Sequence, residues 1–92
     1  MDKIKATNIL EKSGNTNIVE VNLEPGCFLD KHSHDWNVDI IILKGSLQVN
    51  FHQKVKLLSE GDRFKLKKNI VHSEYAGIDG VSLLSARPSK QK

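Results

Sequence analysis

The chain has 92 residues, a formal net charge of +3 and 27% charged residues, which bounds it to one small domain. A hydrophobic content of 38% with six glycines and two prolines excludes a disordered or fibrous chain. No apolar run is long enough to span a bilayer, and residues Met1 to Lys5 lack the apolar segment of a secretion signal.

Cys27 is the only cysteine, so an internal disulfide is impossible and a cytoplasmic setting is expected. The positive charge comes from scattered lysines and from the end of the chain, Arg87-Pro88-Ser89-Lys90-Gln91-Lys92. A nucleic-acid surface needs basic residues on one face with reading or stacking groups among them. Phe64-Lys65-Leu66-Lys67-Lys68 reads instead as a half-exposed strand. Neither nucleic acid nor membrane is an expected partner. Residues 1–88 are read as a single domain and 89–92 as a disordered basic tail. Arg87 could reach an anionic ligand but is read with the solvated tail.

Taken in order, the chain reads as short strands separated by turns. Residues 1–12 carry Ile4, Ala6, Ile9 and Leu10 without a clean period, and no stretch shows a helical one. Ser13-Gly14-Asn15 is a turn cluster. In Ile18 to Leu23 the apolar Val19, Val21 and Leu23 share a face. Glu24-Pro25-Gly26 is a turn, with proline presetting the first bend and glycine supplying a positive φ. The next strand carries Phe28, His32 and His34 on one face, and Cys27, of opposite phase, is expected as an inert buried thiol. Asp35-Trp36-Asn37 then interrupts the alternation; Trp36 could line the mouth of the site but is read as packing on the loop or a partner.

From Asp39 onward, Asp39, Ile41, Leu43, Leu47, Val49 and Phe51 share the phase read as inward. Ile40 and Ile42 fall on the other side, so Val38 to Leu43 is apolar on both faces, as in a strand buried on both. Either another element or another subunit must cover the second face. A hairpin turn near His52-Gln53-Lys54 places His52 at the surface. Ser59 to Asp62, Lys68-Asn69 and Gly77 to Gly80 are further turns. The last strands run over Ile70 to Tyr75 and Val81 to Ala86. This pattern defines an all-β sandwich or barrel.

The chemistry concentrates around His32 and His34. Residues i and i+2 of a strand point to one face, and imidazole suits divalent transition metals. His72 could close the site from another strand. His34 and Asp39 differ by an odd number, so Asp39 rejoins the histidines only through a turn or bulge between them. Glu74 shares the phase of His72 and is read as facing the interior. Three roles are open to it: general base, substitute metal ligand, or carboxylate bonded to a ligand.

The spacing of Gly26, His32, His34, Asp39 and Gly45 resembles the first cupin motif, and Gly61-Asp62 with His72 resembles the second. Together they span Gly26 to Ala76. Asp39 stands where cupins have glutamate, and Lys67, Asn69 and Ala76 replace a proline, a glycine and an asparagine. The resemblance implies a double-stranded β-helix, the cupin jelly-roll barrel. It also implies a divalent metal (iron, manganese, nickel, cobalt or zinc) on His32, His34 and His72, with Asp39 as fourth ligand; being one methylene shorter than glutamate, Asp39 could ligate directly, act through water, or support the ligands from behind. A metal-dependent enzyme of dioxygenase, isomerase or lyase type, acting on a small polar molecule with Glu74 as its base, is the expected function. The alternative is a non-catalytic small-molecule-binding or sensing module. A homodimer is expected through the outer face of Asp39–Leu43, with Ile40 and Ile42 at its centre. A fold-over of the N-terminal segment is the competing cover.

Overall fold

The computed structural model describes residues 1–88, and the tail expected at 89–92 lies outside the described residues. The chain opens with a helix that the periodicity does not reveal, α1 (Lys3–Lys12). Asp2 caps it, its side chain accepting from the Ile4 N–H at 2.9 Å, which satisfies a donor the first turn leaves without a partner. The helix is anchored on a stripe only two residues wide. Ala6 and Leu10, four apart on one face, are fully buried, whereas Ile4 is 72% exposed. Weighing Ile4 equally with Leu10 is what hides the period.

Six strands follow: β1 (Asn17–Leu23), β2 (Phe28–His32), β3 (Val38–Phe51), β4 (Lys54–Ser59), β5 (Arg63–Leu66) and β6 (His72–Arg87). Every pairing among them is antiparallel. The two long strands β3 and β6 pair with each other over most of their length. The first half of β6 takes β2 on its free side, where the second half of β3 takes β4. The second half of β6 takes β1, where the first half of β3 takes β5. Two four-stranded faces thus share the long strands, and the result is an all-β double-stranded β-helix with one added helix.

The long strands bend at glycines. Gly45 has φ +81°, and a Cβ there would stand 2.1 Å from the Gly80 carbonyl oxygen, a clash no side chain survives. The β3–β6 register slips twice around it, between Ile42 and Lys44 and between Gly45 and Leu47. These bulges correct the phase read from the sequence. A continuous strand would set Ile42 and Leu47, five apart, on opposite faces. The bulges bring both into the barrel core, with Ile40, Val49, Phe64 and Leu83. Ile41 and Leu43 instead face outward and pack with Leu84 against Ala6 and Leu10 of α1.

The dimer surface expected at Ile40 and Ile42 is therefore not available. They are 7% and 0% exposed within a single chain. The second apolar side of the strand is covered by the chain's own helix, over Ile41 and Leu43. The gain is large for so small a chain, since each buried aliphatic side chain contributes about 1.5–3 kcal/mol.

A similar shift affects β2. Its register with β6 slips between Leu29 and His32, so Leu29 rather than Phe28 joins His32 on the inside. Phe28 is half-exposed and packs edge-on against Tyr75, with ring centroids 5.9 Å apart. The β3–β4 hairpin turns on His52 and Gln53, both at positive φ, as a two-residue hairpin of this hand requires. Asn69 takes the left-handed conformation at φ +67°, which asparagine tolerates better than most residues. Cys27 is a free, half-buried thiol packed on the barrel core. Among the described residues no helix is long and apolar enough to cross a membrane.

Candidate metal centre

The pairing of β2 with β6 sets His32 directly across from His72. His34 lies just past the end of β2, in the loop before β3, so strand alternation does not place it. Cross-loop bonds do. The Asn69 N–H donates to the His34 carbonyl at 2.7 Å, and the Lys68 N–H donates to Asn37 Oδ1 at 3.0 Å. The Trp36 ring stacks on the His34 ring, with centroids 4.5 Å apart. The structure thereby brings His32, His34 and His72 together, with one ring nitrogen of each within 4.8 Å of the others.

Two of the rings have fixed tautomers. His32 Nδ1 lies 2.7 Å from the Asp30 carbonyl oxygen and His72 Nδ1 lies 2.9 Å from that of Ile70. A carbonyl only accepts, so each Nδ1 carries the proton and donates. Nε2 of each ring is thereby left to face inward, the nitrogen a metal-binding imidazole offers when its Nδ1–H is bonded to a carbonyl. Facing those nitrogens is Glu74. Its Oε2 lies 3.4 Å from His32 Nε2 and 3.4 Å from His72 Nε2.

That distance is long for a hydrogen bond. It matches the spacing of two donor atoms around one ion: bonds of about 2.1 Å at tetrahedral or octahedral angles separate donors by roughly 3.0–3.4 Å. Lone pairs and a carboxylate oxygen converge on one point, and only a cation or a bound proton makes that arrangement favourable. The three imidazoles fit a divalent transition ion, and the Glu74 carboxylate lies beside two of them.

Burial, and then the positive charge available on His32, His72 and Arg87, hold the His34 pKa below the ordinary imidazole value. His34 accordingly stays neutral, and able to ligate, to lower pH than a free imidazole.

The cluster opens into the barrel. The cavity there has a volume of about 130 Å³, and its wall includes His32, His34, His72 and Glu74 together with Trp36, Ser85 and Arg87. Arg87 is therefore not part of a solvated tail: it is the last residue of β6 and pairs with Asn17 of β1. The signal for this was Pro88, since a residue before proline is biased to extended backbone. Trp36, expected against the loop or a partner, lines the same cavity. A larger groove on the outer face, about 560 Å³ and lined by residues such as Leu57, Tyr75 and Ile78, has no histidine, cysteine or carboxylate in its wall.

Asp39, expected as the fourth ligand, is placed elsewhere. After the loop, Val38 and Ile40 are the residues that point into the cavity, so Asp39 faces the other side. Its two oxygens accept from Arg63, Nε at 2.9 Å and Nη2 at 2.7 Å. The same guanidinium donates to Ser13 Oγ at 2.9 Å. The bond to Asp39 raises the Arg63 pKa. A carboxylate engaged in a two-pronged arginine pair, on the opposite side of the strand, has no approach to the histidines. His52 is exposed in its hairpin turn.

No protein-family model matches the chain, and no curated protein matches it. Solved structures do match. A cupin-2 domain protein from Shewanella frigidimarina superposes with a TM-score of 0.70 at 22% identity, over 78% of this chain and 69% of the other. A cupin-like protein from Thermotoga maritima gives 0.67 at 28% identity, over 78% and 56%. KdgF from a Halomonas species gives 0.61 at 25% identity, over 78% and 69%. This chain thus spans 56% to 69% of the length of those proteins. The fold is the cupin fold, with a histidine cluster in the barrel. In fold this chain resembles those small cupins.

Proposed function

We propose that this protein is a metal-dependent cupin enzyme acting on a small polar molecule inside the barrel. His32, His34 and His72 hold a divalent ion, and Glu74 rather than Asp39 supplies the carboxylate. The observation that carries this reading is the convergence of the His32 and His72 Nε2 atoms on Glu74 Oε2, at equal distances, with both Nδ1 atoms committed to backbone carbonyls. In this role Glu74 is a ligand, and the general-base role gives way to it. When bound, the ion supplies a Lewis acid, or an oxygen-activating centre if it is iron. The chain's own part is to keep the rings oriented, to balance charge through Glu74, and to enclose the reactant among apolar walls. A lone free cysteine agrees with a reducing, cytoplasmic setting.

Elemental analysis of the protein purified without added metal, repeated across pH, tests this. One equivalent of a transition metal per chain is expected at neutral pH. Occupancy falls as pH drops below about 6.5, because protonated imidazole does not ligate. Stability changes with the same sign. His34 has a folded pKa below its unfolded one, so the unfolded chain binds more protons in that window and stability is lost as pH falls. A melting temperature indifferent to removal of the metal by chelator would contradict a metal that matters to this fold.

A further inference from the structure

The cavity holds a cation, Arg87. Leu83, Ser85 and Arg87 alternate inward along the end of β6 and line the cavity. Arg87 Nε donates to Ser85 Oγ at 3.1 Å, which orients the guanidinium. Its Cζ lies 5.8 Å from the centre of the Trp36 ring, within cation–π range, and Trp36 stacks on His34. A row of Arg87, Trp36 and His34 thus leads along the wall to the histidine cluster. Among the described residues no carboxylate pairs with Arg87. Arg63, by contrast, is saturated by Asp39. Among the described residues Glu74 is the only acid lining the cavity, and it is already turned to the histidines.

Size narrows the occupant. A cavity of about 130 Å³ is close to the 150 Å³ that admits a benzene, about six non-hydrogen atoms. Val21, Val49 and Leu83 give it apolar sides, suited to a short carbon unit. The planar fork of an arginine matches a carboxylate with two parallel hydrogen bonds.

We propose that the cavity binds a small carboxylate of about six non-hydrogen atoms or fewer, its carboxylate held by Arg87 and a second oxygen turned toward the histidine cluster. The placement of the second oxygen rests on the metal reading above; the carboxylate subsite does not.

Isothermal titration of the metal-loaded protein with matched acids and amides tests this: lactate against lactamide, acetate against acetamide, pyruvate against pyruvamide. Each pair keeps size and differs by one charge. In at least one pair the acid is expected to bind about tenfold tighter or more. Arg87→Met should abolish that preference while keeping the wild-type metal content, and Arg87→Lys should keep part of it. Arg87→Gln serves if the methionine variant does not fold. Equal binding of every acid and its amide, an undiminished preference in Arg87→Met, or no binding of any acid overturns the proposal. If the wild type proves to hold no metal, the metal reading fails by that measurement alone. The acid-over-amide preference, and its loss with Arg87, still decides the subsite.

Discussion

His72→Ala is expected to empty the metal centre and lower the melting temperature together. His72 is the most enclosed of the three rings, with a side chain 3% exposed, and it lies opposite His32 in the β2–β6 pairing. Its removal takes away an imidazole whose orientation is fixed by the Ile70 carbonyl. Loss of a partner outside the ligand set already costs about 10–100-fold in metal affinity, and loss of a ligand itself should cost at least that much. Because the ion binds only the native barrel, its loss removes the stabilisation it confers by mass action. Elemental analysis and thermal melting of the same sample check both halves. His52→Ala, in the exposed hairpin turn, is the matched control and should change neither.

Asp39→Ala is expected to do the reverse: destabilise the fold and leave the metal in place. Asp39 is 9% exposed and accepts both forks of Arg63. Truncating it strands a half-buried guanidinium, whose remaining side-chain partner is Ser13. Breaking a fully buried pair costs about 3–5 kcal/mol. Arg63 reaches solvent, its side chain being 28% exposed, so about 2 kcal/mol is the appropriate expectation. In a domain of this size that is a fall of roughly 10 °C in melting temperature. The double variant with Arg63→Met should recover part of it, since removing both charges leaves neither unpaired. A metal content that falls with Asp39→Ala, at temperatures where the variant is folded, would return Asp39 to the ligand set.

The contrast between these two residues shows where sequence reading succeeds and where it stops. The strands, most of the turns and the three histidines were legible because they depend on local alternation, turn residues and motif spacing. Asp39 was misplaced because its phase depends on bulges. The slips around Gly45 let Ile40 and Leu47 share a face although they are an odd number apart, and a sequence read as one continuous strand assigns them to opposite faces. The same error moved Ile40 and Ile42 to an outer surface and built a dimer contact on them. The helix leaves little trace in the sequence because only Ala6 and Leu10 of it are fully buried, too few to print a period. Arg87 was assigned to the tail by the company of later lysines, although Pro88 and the run Leu83, Ser85, Arg87 extend the strand to it. Glu74 was placed correctly on the face of His72 by the two-residue period. Its approach to both Nε2 atoms is a matter of tertiary geometry that no spacing encodes.

The central claim is that the carboxylate of this centre comes from Glu74, two residues beyond His72, and not from Asp39. Competition titration of Zn²⁺ against a chromophoric chelator, run on wild type, Glu74→Gln and Asp39→Asn, tests it most directly. Glutamine and asparagine preserve shape and remove only the charge, so the folds should survive. Glu74→Gln is expected to bind the ion about 10–100-fold more weakly, while Asp39→Asn binds it as the wild type does. Wild-type affinity in Glu74→Gln, with weakened binding in Asp39→Asn, would contradict it.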